Sequence, residues 1–437
     1  MHKNIFIVGL DEPNHARLRT LPTAQPCRFH RLFTYDQVQG PASLPLEHLL
    51  HEASESLACF PGTVDAVAGY WDFPVSDMIP ILANRFALPS ASLASVLRCE
   101  HKYWSRLVQA RAVPEHVPAF APVDPDDGAQ RIWARLATRL GVPFWLKPVK
   151  SFQSYLGFRI SSLDELHQAL EIMRQRLPLF AEPFDQLLAR AGLPGEVAGV
   201  GGGHCIAEQL IGGWQCTVEG HVAHGEVRTH GIIDSVRHDN DVSFARYQYP
   251  SQLPPHVQLR MTSIVERLVR RLGLNQTAFN CELYYDPATG RIWILEINPR
   301  ISQSHAAIFE KVDGVSNHHV MLELALGRTP HMPHRRGPFR IAAKCFIRRF
   351  ADGVVQRVPP AAIVQSLERE IPGLHVEVRV QPGCRLSTLF GQDSYSFVLA
   401  ELHIGADSEH EMIEKHRYCE HALDFAVESV HEEERAA

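Results

Sequence analysis

Apolar and polar positions alternate through residues 277–300, TAFNCELYYDPATGRIWILEINPR, as in two neighbouring β-strands. The segment 286–290 between them, DPATG, is typical of a tight turn, so the pattern predicts a β-hairpin. Side chains two residues apart on a strand point to one face, which places Glu296 and Asn298 together on the second strand. Glu282 lies on the first strand.

Folding this hairpin gathers oxygen-bearing side chains. Glu282 shares its face with Asn280 and comes to lie opposite or diagonal to Glu296. Two carboxylates and an amide oxygen suit Mg²⁺, which usually keeps coordination positions for water and substrate phosphates. A solvent-facing polar side of the hairpin is the alternative. Against it, we expect Ile292 and Ile294 on the face of Glu296, which implies burial, and buried carboxylates need a cation.

Apolar periodicity elsewhere predicts alternating strands and helices. Residues 1–95 contain short apolar runs at 4–10 and 64–70 and a helical run at 75–88, which indicates a small α/β layer with a parallel sheet. The last hundred residues read as a separate α+β unit that ends in a charged helix at 408–430. Further strands are predicted at 143–147, 204–211, 216–224, 339–348, 375–380 and 396–403, and further helices at 129–140, 263–272 and 315–326.

Composition narrows the class of protein. The 437 residues suffice for two or three domains, and the net charge of −6 gives no overall attraction to nucleic acid or to anionic membranes. The nine cysteines include no CxxC pair, which indicates reduced thiols in a cytoplasm. No apolar run approaches a membrane span, and the first ten residues read as a strand rather than a signal peptide. We expect a soluble cytoplasmic protein whose partners are small molecules.

Cationic and backbone groups suited to a nucleotide triphosphate precede the hairpin. Lys147 ends the predicted strand PFWLK before the polar loop 151–158, and Lys102 lies in an earlier helix. Together they suit phosphate oxygens, although a solvated lysine is the usual alternative at a strand end. The segment 208–210, EQL, ends a strand, and its backbone suits an adenine edge. An ordinary strand end is the alternative there.

Taken in order, these pieces resemble the ATP-grasp superfamily over roughly residues 64–330. The order is a helix with HK, a strand ending in LKP, a Gly-bearing loop, an EQL hinge and an E…LEINPR hairpin. The resemblance implies a mixed α/β and α+β fold. Its parts would be an N-terminal α/β pre-ATP-grasp domain at 1–95, an ATP-grasp domain at 96–330 and a small C-terminal α+β domain at 336–437. The ATP-grasp domain would comprise two α+β subdomains that meet near residue 205.

The resemblance also implies how ATP and its metal are held. Arg300 would face the γ-phosphate and an acyl phosphate. Mg²⁺, or Mn²⁺ in its place, would bind Glu282, Glu296 and Asn298. The nucleotide would contact Lys102 and Lys147 through its phosphates, Glu208 and the backbone of Gln209 and Leu210 through adenine, and Glu219 at or near the ribose.

Two departures from the family pattern bear on these implications. The phosphate loop carries only Gly157, although Ser154 and its polar neighbours can donate from their side chains. After NPR, Ser304 precedes His305 where biotin carboxylases have a glutamate ahead of a histidine. This disfavours carboxylation and places the segment closer to the amino-acid-ligase and carbamoyl-phosphate-synthetase branches.

A long polar loop between hinge and hairpin holds Arg246, a candidate for gripping a substrate carboxylate because a guanidinium fork matches that group. A solvated surface arginine is the alternative. His305 and Glu310 are weaker candidates for an amine pocket. Trp71 and Asp72 are weaker candidates for the lining of the cleft, since ligands collect at the carboxyl ends of parallel strands.

The function that the resemblance implies is ATP- and Mg²⁺-dependent ligation. A small-molecule carboxylate is activated as an acyl phosphate and joined to an amine, and ADP and phosphate are released. A homodimer is compatible with the family. Two alternatives stay open: a biotin-carboxylase-like carboxylation, and a non-catalytic ATP-binding regulator on the same fold.

Overall fold

A parallel three-stranded sheet with surrounding helices begins the chain, as the alternation predicts. The computed structural model describes residues 2–39, 45–151, 156–238, 243–389, 392 and 395–430. The strands are β1 (Lys3–Ile7), β2 (Cys27–Arg31) and β3 (Ala66–Ala68), in the order β2-β1-β3. The helices of this part are α1 (Glu12–Thr20), α2 (Tyr35–Gln39), α3 (Leu46–Ala58), α4 (Val75–Arg85) and α5 (Leu93–Glu100).

An antiparallel four-stranded sheet follows. Its strands β4 (Phe120–Val123), β5 (Phe144–Pro148), β6 (Phe158–Ile160) and β7 (Cys205–Gln209) lie in the order β4-β7-β5-β6. Its helices are α6 (Lys102–Ala112), α7 (Ala129–Leu140), α8 (Leu163–Arg176) and α9 (Pro178–Ala191). The apolar stripes of α7 and α8 pack on this sheet, with Leu136 and Leu170 fully buried in the shared core.

The predicted hairpin belongs to a second antiparallel arrangement. Strands β8 (Trp214–Ala223), β11 (Thr277–Asp286) and β12 (Arg291–Asn298) lie side by side, and β12 is the end strand of its sheet. Helix α10 (Pro255–Leu272) ends at Gly273, whose φ of +72° is the left-handed conformation that stops a helix. The chain also contains β9 (Glu226–Arg237), β10 (Phe244–Tyr249), α11 (Ala306–Asp313) and α12 (His318–Ala325).

The chain divides into two compact units. The first unit comprises Met1–His230, Leu253–Gln303 and His318–His331, and the second comprises Gly231–Gln252, Ser304–Asn317 and Met332–Ala437. This division does not test the three domains expected from the sequence, which stay a prediction. None of the described helices combines the length and apolar character needed to cross a bilayer.

In the second unit, an antiparallel sheet packs against a helix around a core of its own. The sheet order is β10-β13-β16-β15, and β14 pairs with β17. The elements are β13 (Ile341–Arg349), β14 (Gly353–Arg357), α13 (Ala361–Glu370), β15 (His375–Val378), β16 (Phe397–Ala406), α14 (Glu409–Ala422) and β17 (Ala426–Ser429).

The prediction of one continuous helix over 408–430 is wrong at its end. Helix α14 stops at Ala422, and β17 then pairs antiparallel with β14. Phe425 and Val427 pack against the apolar core in this extended conformation. The free energy gained by burying these two side chains outweighs the local helical propensity. The many charged residues near them in the sequence favoured the prediction of a continuous helix.

Candidate active site

The β11–β12 hairpin places its two glutamates face to face. Glu282 pairs in register with Glu296, and Asn280 pairs with Asn298. The predicted opposition of the two carboxylates is therefore present in the structure. The register shifts next to this pair, so that Leu295 is an extra residue in β12, a β-bulge.

The bulge decides which face carries the carboxylates. Ile294 and Ile297 are both buried, at 0% and 2% exposure. Both therefore lie on the packed face of the sheet, although they are three residues apart instead of two. Glu296, one residue from Ile297, points to the opposite face, with Glu282. The prediction that Ile292 and Ile294 share a face with Glu296 is thus wrong, because it assumed an unbroken alternation.

The side chains around this pair leave an all-oxygen set suited to Mg²⁺. The Asn298 amide nitrogen donates to Asn280 Oδ1 at 3.1 Å and approaches Glu296 Oε1 at 3.5 Å. Its Oδ1 is thus the Asn298 atom suited to a cation. Gln215 donates to Glu282 Oε2 at 2.8 Å. Two half-buried carboxylates on neighbouring strands repel each other, and a divalent cation between them would remove that repulsion.

Glu219 continues the same row of side chains across the sheet. On β8 it lies opposite Asn280, which in turn lies opposite Asn298. Its carboxylate is fully buried, and the His230 Nε2 atom is 3.8 Å away. Glu219 therefore shares the face of the metal set, and its contact with the ribose region stays a prediction.

A buried ion triad holds the predicted adenine and phosphate residues together. Glu208, 4% exposed, lies with Oε2 2.7 Å from Lys147 Nζ, and its Oε1 accepts from Arg106 Nε at 2.6 Å. Burial alone would raise the pKa of Glu208, but Arg106 and Lys147 hold it at about 2. The carboxylate is thus ionised at neutral pH and fixes both cations.

The second predicted phosphate lysine reaches the start of the phosphate loop. Lys102 Nζ donates to the Ser151 carbonyl at 2.8 Å, and burial lowers the pKa of Lys102 while the nearby Glu296 opposes that shift. Ser154 lies outside the described residues. Gly157 is among the described residues and is half-buried.

In the hinge segment 208–210, one backbone N–H already donates a hydrogen bond within the protein. The Gln209 N–H donates to the Ala119 carbonyl at 2.8 Å, so this donor belongs to the fold rather than to an adenine contact. Leu210 is 36% exposed at the end of β7. The contact of this segment with adenine stays a prediction.

The catalytic candidate Arg300 is held by Asp72. Its Nη2 atom donates to Asp72 Oδ2 at 2.7 Å, and Lys150 Nζ lies 3.4 Å from the other oxygen of that carboxylate. Lys150 also pairs with the buried Glu100. Burial would raise the pKa of Asp72, but Arg300 and Lys150 hold it well below its usual range. Trp71, the neighbouring candidate, donates to a backbone carbonyl after β1.

Sequence reasoning missed four charged residues of this region: Arg106, Lys150, Glu100 and Asp77. Their partners lie up to 189 residues away along the chain, so no local pattern marks them. The one available signal is the charge of Arg106 on the face of α6 that carries Lys102, four residues earlier.

Replacing Asp77 with asparagine is expected to raise stability more at about pH 8 than at about pH 5. Burial raises the pKa of Asp77 from 3.8 to about 7. The folded state therefore binds this proton more tightly than the unfolded state, and stability falls as pH rises between these values. Thermal melting should show a gain of about 2 °C or more at the higher pH. An equal gain at both pH values would contradict the assignment.

The remaining candidates lie in the second unit. Arg246 donates to Glu409 Oε1 at 3.0 Å and to Gln248 Oε1 at 2.8 Å, so its guanidinium already has carboxylate and amide partners. The His305 ring lies edge-on to Tyr247. The roles of these side chains toward a substrate stay predictions, as does that of the exposed Glu310.

One further group of acidic and imidazole side chains occurs among the described residues. Glu377, Glu401 and His403 lie close enough together to share a cation. The Lys344 ammonium lies 2.8 Å from Glu401 and already neutralises it. We therefore describe this group as an ion-pair network of the second unit.

Comparison with known proteins agrees with this geometry. A family model described as an ATP-grasp domain matches residues 140–307. A 72-residue stretch is 36% identical to the carbamoyl phosphate synthase large chain of Paenarthrobacter aurescens, and it covers 16% of this chain and 6% of that protein. The chain thus matches only a small part of that relative's length.

Solved structures match nearly the whole chain. The L-amino acid ligase from Bacillus licheniformis has a TM-score of 0.72 at 18% identity, covering 97% of this chain and 98% of that chain. The biotin carboxylase domain of the Hydrogenobacter thermophilus 2-oxoglutarate carboxylase, solved with MgADP and bicarbonate, has a TM-score of 0.63 at 16% identity, covering 97% and 91%. Residues 140–307 therefore match an ATP-grasp domain, and the fold of the whole chain is similar to the folds of these two solved proteins.

Proposed function

We propose that this protein is an ATP- and Mg²⁺-dependent ligase that activates a small carboxylic acid as an acyl phosphate and joins it to an amine. The observation that carries the proposal is the facing pair Glu282 and Glu296 with Asn298 beside it. Mg²⁺ bound there would neutralise charge on the phosphate oxygens of the nucleotide. A protein that only bound ATP would have no need of the complete phosphoryl-transfer set, which comprises Lys147, Glu282, Glu296, Asn298 and Arg300.

The cations of the first unit complement that set. Lys147 and Lys102 would hold the phosphates of ATP, and Arg300 would offset the charge that develops on the transferring phosphoryl group. Asp72 accepts a hydrogen bond from the Arg300 guanidinium and holds it, so the arginine would need little reorganisation when substrate binds.

Two displacements make up the reaction. A carboxylate oxygen of the acid attacks the γ-phosphorus, and the bond to the β,γ-bridging oxygen breaks to release ADP. The amine nitrogen then attacks the acyl carbon, and the bond from that carbon to the phosphate oxygen breaks. Phosphate leaves with its electron pair, and the nitrogen gives up one proton.

The similar proteins favour a nitrogen nucleophile. The names of two of them, an L-amino acid ligase and a carbamoyl phosphate synthase, denote enzymes that form carbon–nitrogen bonds. A third is a biotin carboxylase domain. Biotin carboxylases resemble this chain after NPR but have a glutamate ahead of the histidine, where this chain has Ser304 before His305. We therefore assign an amine rather than bicarbonate as the second substrate.

The proposal predicts that ADP and phosphate are released only when an acid and an amine are both present. Purified protein with Mg-ATP would be given pooled amino acids and small carboxylates, with and without bicarbonate plus biotin. Splitting the active pools would identify the pair, and mass spectrometry should find a product one water lighter than the two substrates together.

Three other results would overturn parts of this assignment. Release of AMP and pyrophosphate would exclude an acyl phosphate. Dependence on bicarbonate would favour carboxylation instead. ATP binding without turnover across all pools would favour a regulator.

A further inference from the structure

Arg106 has a buried guanidinium that donates four hydrogen bonds, to β7, to its own helix α6 and to β12. It is 2% exposed on α6, and Nε donates to Glu208 at 2.6 Å. Nη1 donates to Gln109 Oε1 at 2.6 Å and to the Ile294 carbonyl at 2.8 Å, and Nη2 donates to the Leu295 carbonyl at 2.9 Å. Four of the five N–H donors of an arginine are therefore used.

Two of these bonds hold the bulge of β12. Leu295 is the extra residue of that bulge, and Ile294 precedes it. Since β12 is an end strand, its outer carbonyls have no neighbouring strand to pair with. A buried carbonyl without a donor is costly, so the Arg106 fork stabilises the bulged backbone over a regular strand.

The bulge matters because it sets the direction of Glu296. In a regular strand Glu296 would share the face of Ile294, two residues earlier, and point away from Glu282. With one extra residue it faces Glu282 instead. A donor that holds the bulge therefore also holds the carboxylate pair in place.

The remaining charged contact of Arg106 reaches the nucleotide side. Its partner Glu208 also binds Lys147, the predicted phosphate lysine. One side chain on α6 thus joins the strand that carries the metal carboxylates to the carboxylate that fixes a phosphate cation. Side chains that orient metal ligands in this way commonly change metal affinity when they are replaced.

We propose that Arg106 is a positioning residue that holds the β12 bulge and thereby sets the affinity of the Glu282–Glu296 site for its divalent cation. This inference rests on the proposed function, because it takes those carboxylates to be metal ligands. Arg106 acts through the backbone of Ile294 and Leu295.

The test is Mn²⁺ binding in the presence of ADP, followed by electron paramagnetic resonance, which needs no knowledge of the acid or the amine. Arg106→Met should weaken Mn²⁺ binding about 10-fold or more. Arg106→Lys keeps the positive charge beside Glu208 but lacks the guanidinium fork. A loss of Mn²⁺ affinity in this variant would therefore be caused by the lost hydrogen-bond geometry rather than by a lost charge. The lysine variant also serves if the methionine variant fails to fold.

His116→Phe is the matched control. The His116 Nδ1 atom donates to the Ile292 carbonyl at 2.8 Å on the same outer edge of β12, outside the bulge. This variant should lose a comparable hydrogen bond and some thermal stability, yet keep the wild-type affinity for Mn²⁺.

Different outcomes separate this inference from the proposed function. A folded Arg106→Lys protein with wild-type Mn²⁺ affinity would overturn the positioning role while the metal site stands. Equal weakening in His116→Phe would also overturn it, because the effect would then be general loosening of the edge. If Glu296→Gln bound Mn²⁺ with wild-type affinity, the assignment of Glu282 and Glu296 as the metal site would itself be wrong.

Discussion

Replacing Glu296 with glutamine is expected to lower turnover by about 10³-fold or more while leaving the protein at least as stable as the wild type. Glutamine keeps the volume of the side chain but removes one charge from the metal set. Glu282 and Glu296 pair directly across two strands, and like charges in that position are destabilising. Without a bound cation, the variant should therefore melt at the same or a higher temperature.

Two measurements on one preparation check this expectation. Turnover is followed as ADP release with the acid–amine pair found by substrate screening, and melting is followed by calorimetry without nucleotide. Glu226→Gln, the same chemical change at the exposed start of β9, is the control and should leave both quantities unchanged. A Glu296→Gln enzyme with more than a tenth of wild-type turnover would exclude Glu296 as a metal ligand.

Replacing Arg300 with lysine is expected to lower kcat by about 10²- to 10³-fold, the loss typical for removal of one donor that stabilises transition-state charge. The lysine keeps a positive charge beside Asp72 but cannot contact that carboxylate and a phosphoryl oxygen with one planar fork. Because nucleotide binding uses other groups, the Kd for Mg-ADP should change little.

The control for this variant is Arg98→Lys. Arg98 also donates through its guanidinium, to the Leu272 carbonyl at 3.0 Å, but it contacts none of the site residues described above. Kinetic constants of that variant should equal those of the wild type. If Arg300→Lys raised KM for ATP and left kcat intact, Arg300 would be a binding residue and not a catalytic one.

The hairpin, with Glu282 and Glu296 close to each other on neighbouring strands, could be predicted because the turn sequence is local. An unbroken count outward from the turn places Glu296 opposite Cys281, one residue from Glu282. The bulge at Leu295 escaped that count. Its signal is present, since Ile292, Ile294 and Ile297 are spaced by two and then by three, which a strict alternation does not allow.

The contacts that organise the charges could not be predicted in this way. Arg106 and Asp72 each meet their partners across long separations, 188 residues for Arg106 to Ile294 and 228 for Asp72 to Arg300. Charge and spacing in a single sequence do not indicate which distant acid a base will meet. For Arg246 the sequence predicts binding to a substrate carboxylate. In the structure its guanidinium donates to the Glu409 carboxylate of the same unit.

The side chains along the outer edge of β12 have a consequence for self-association. An end strand with free carbonyls is a template for a strand from another molecule, and such pairing leads to aggregates. Here the Arg106 fork and the His116 ring occupy three successive outward carbonyls, those of Ile292, Ile294 and Leu295. The same donors that shape the site thus keep this strand from recruiting a second chain, and loss of both should make the protein prone to aggregation.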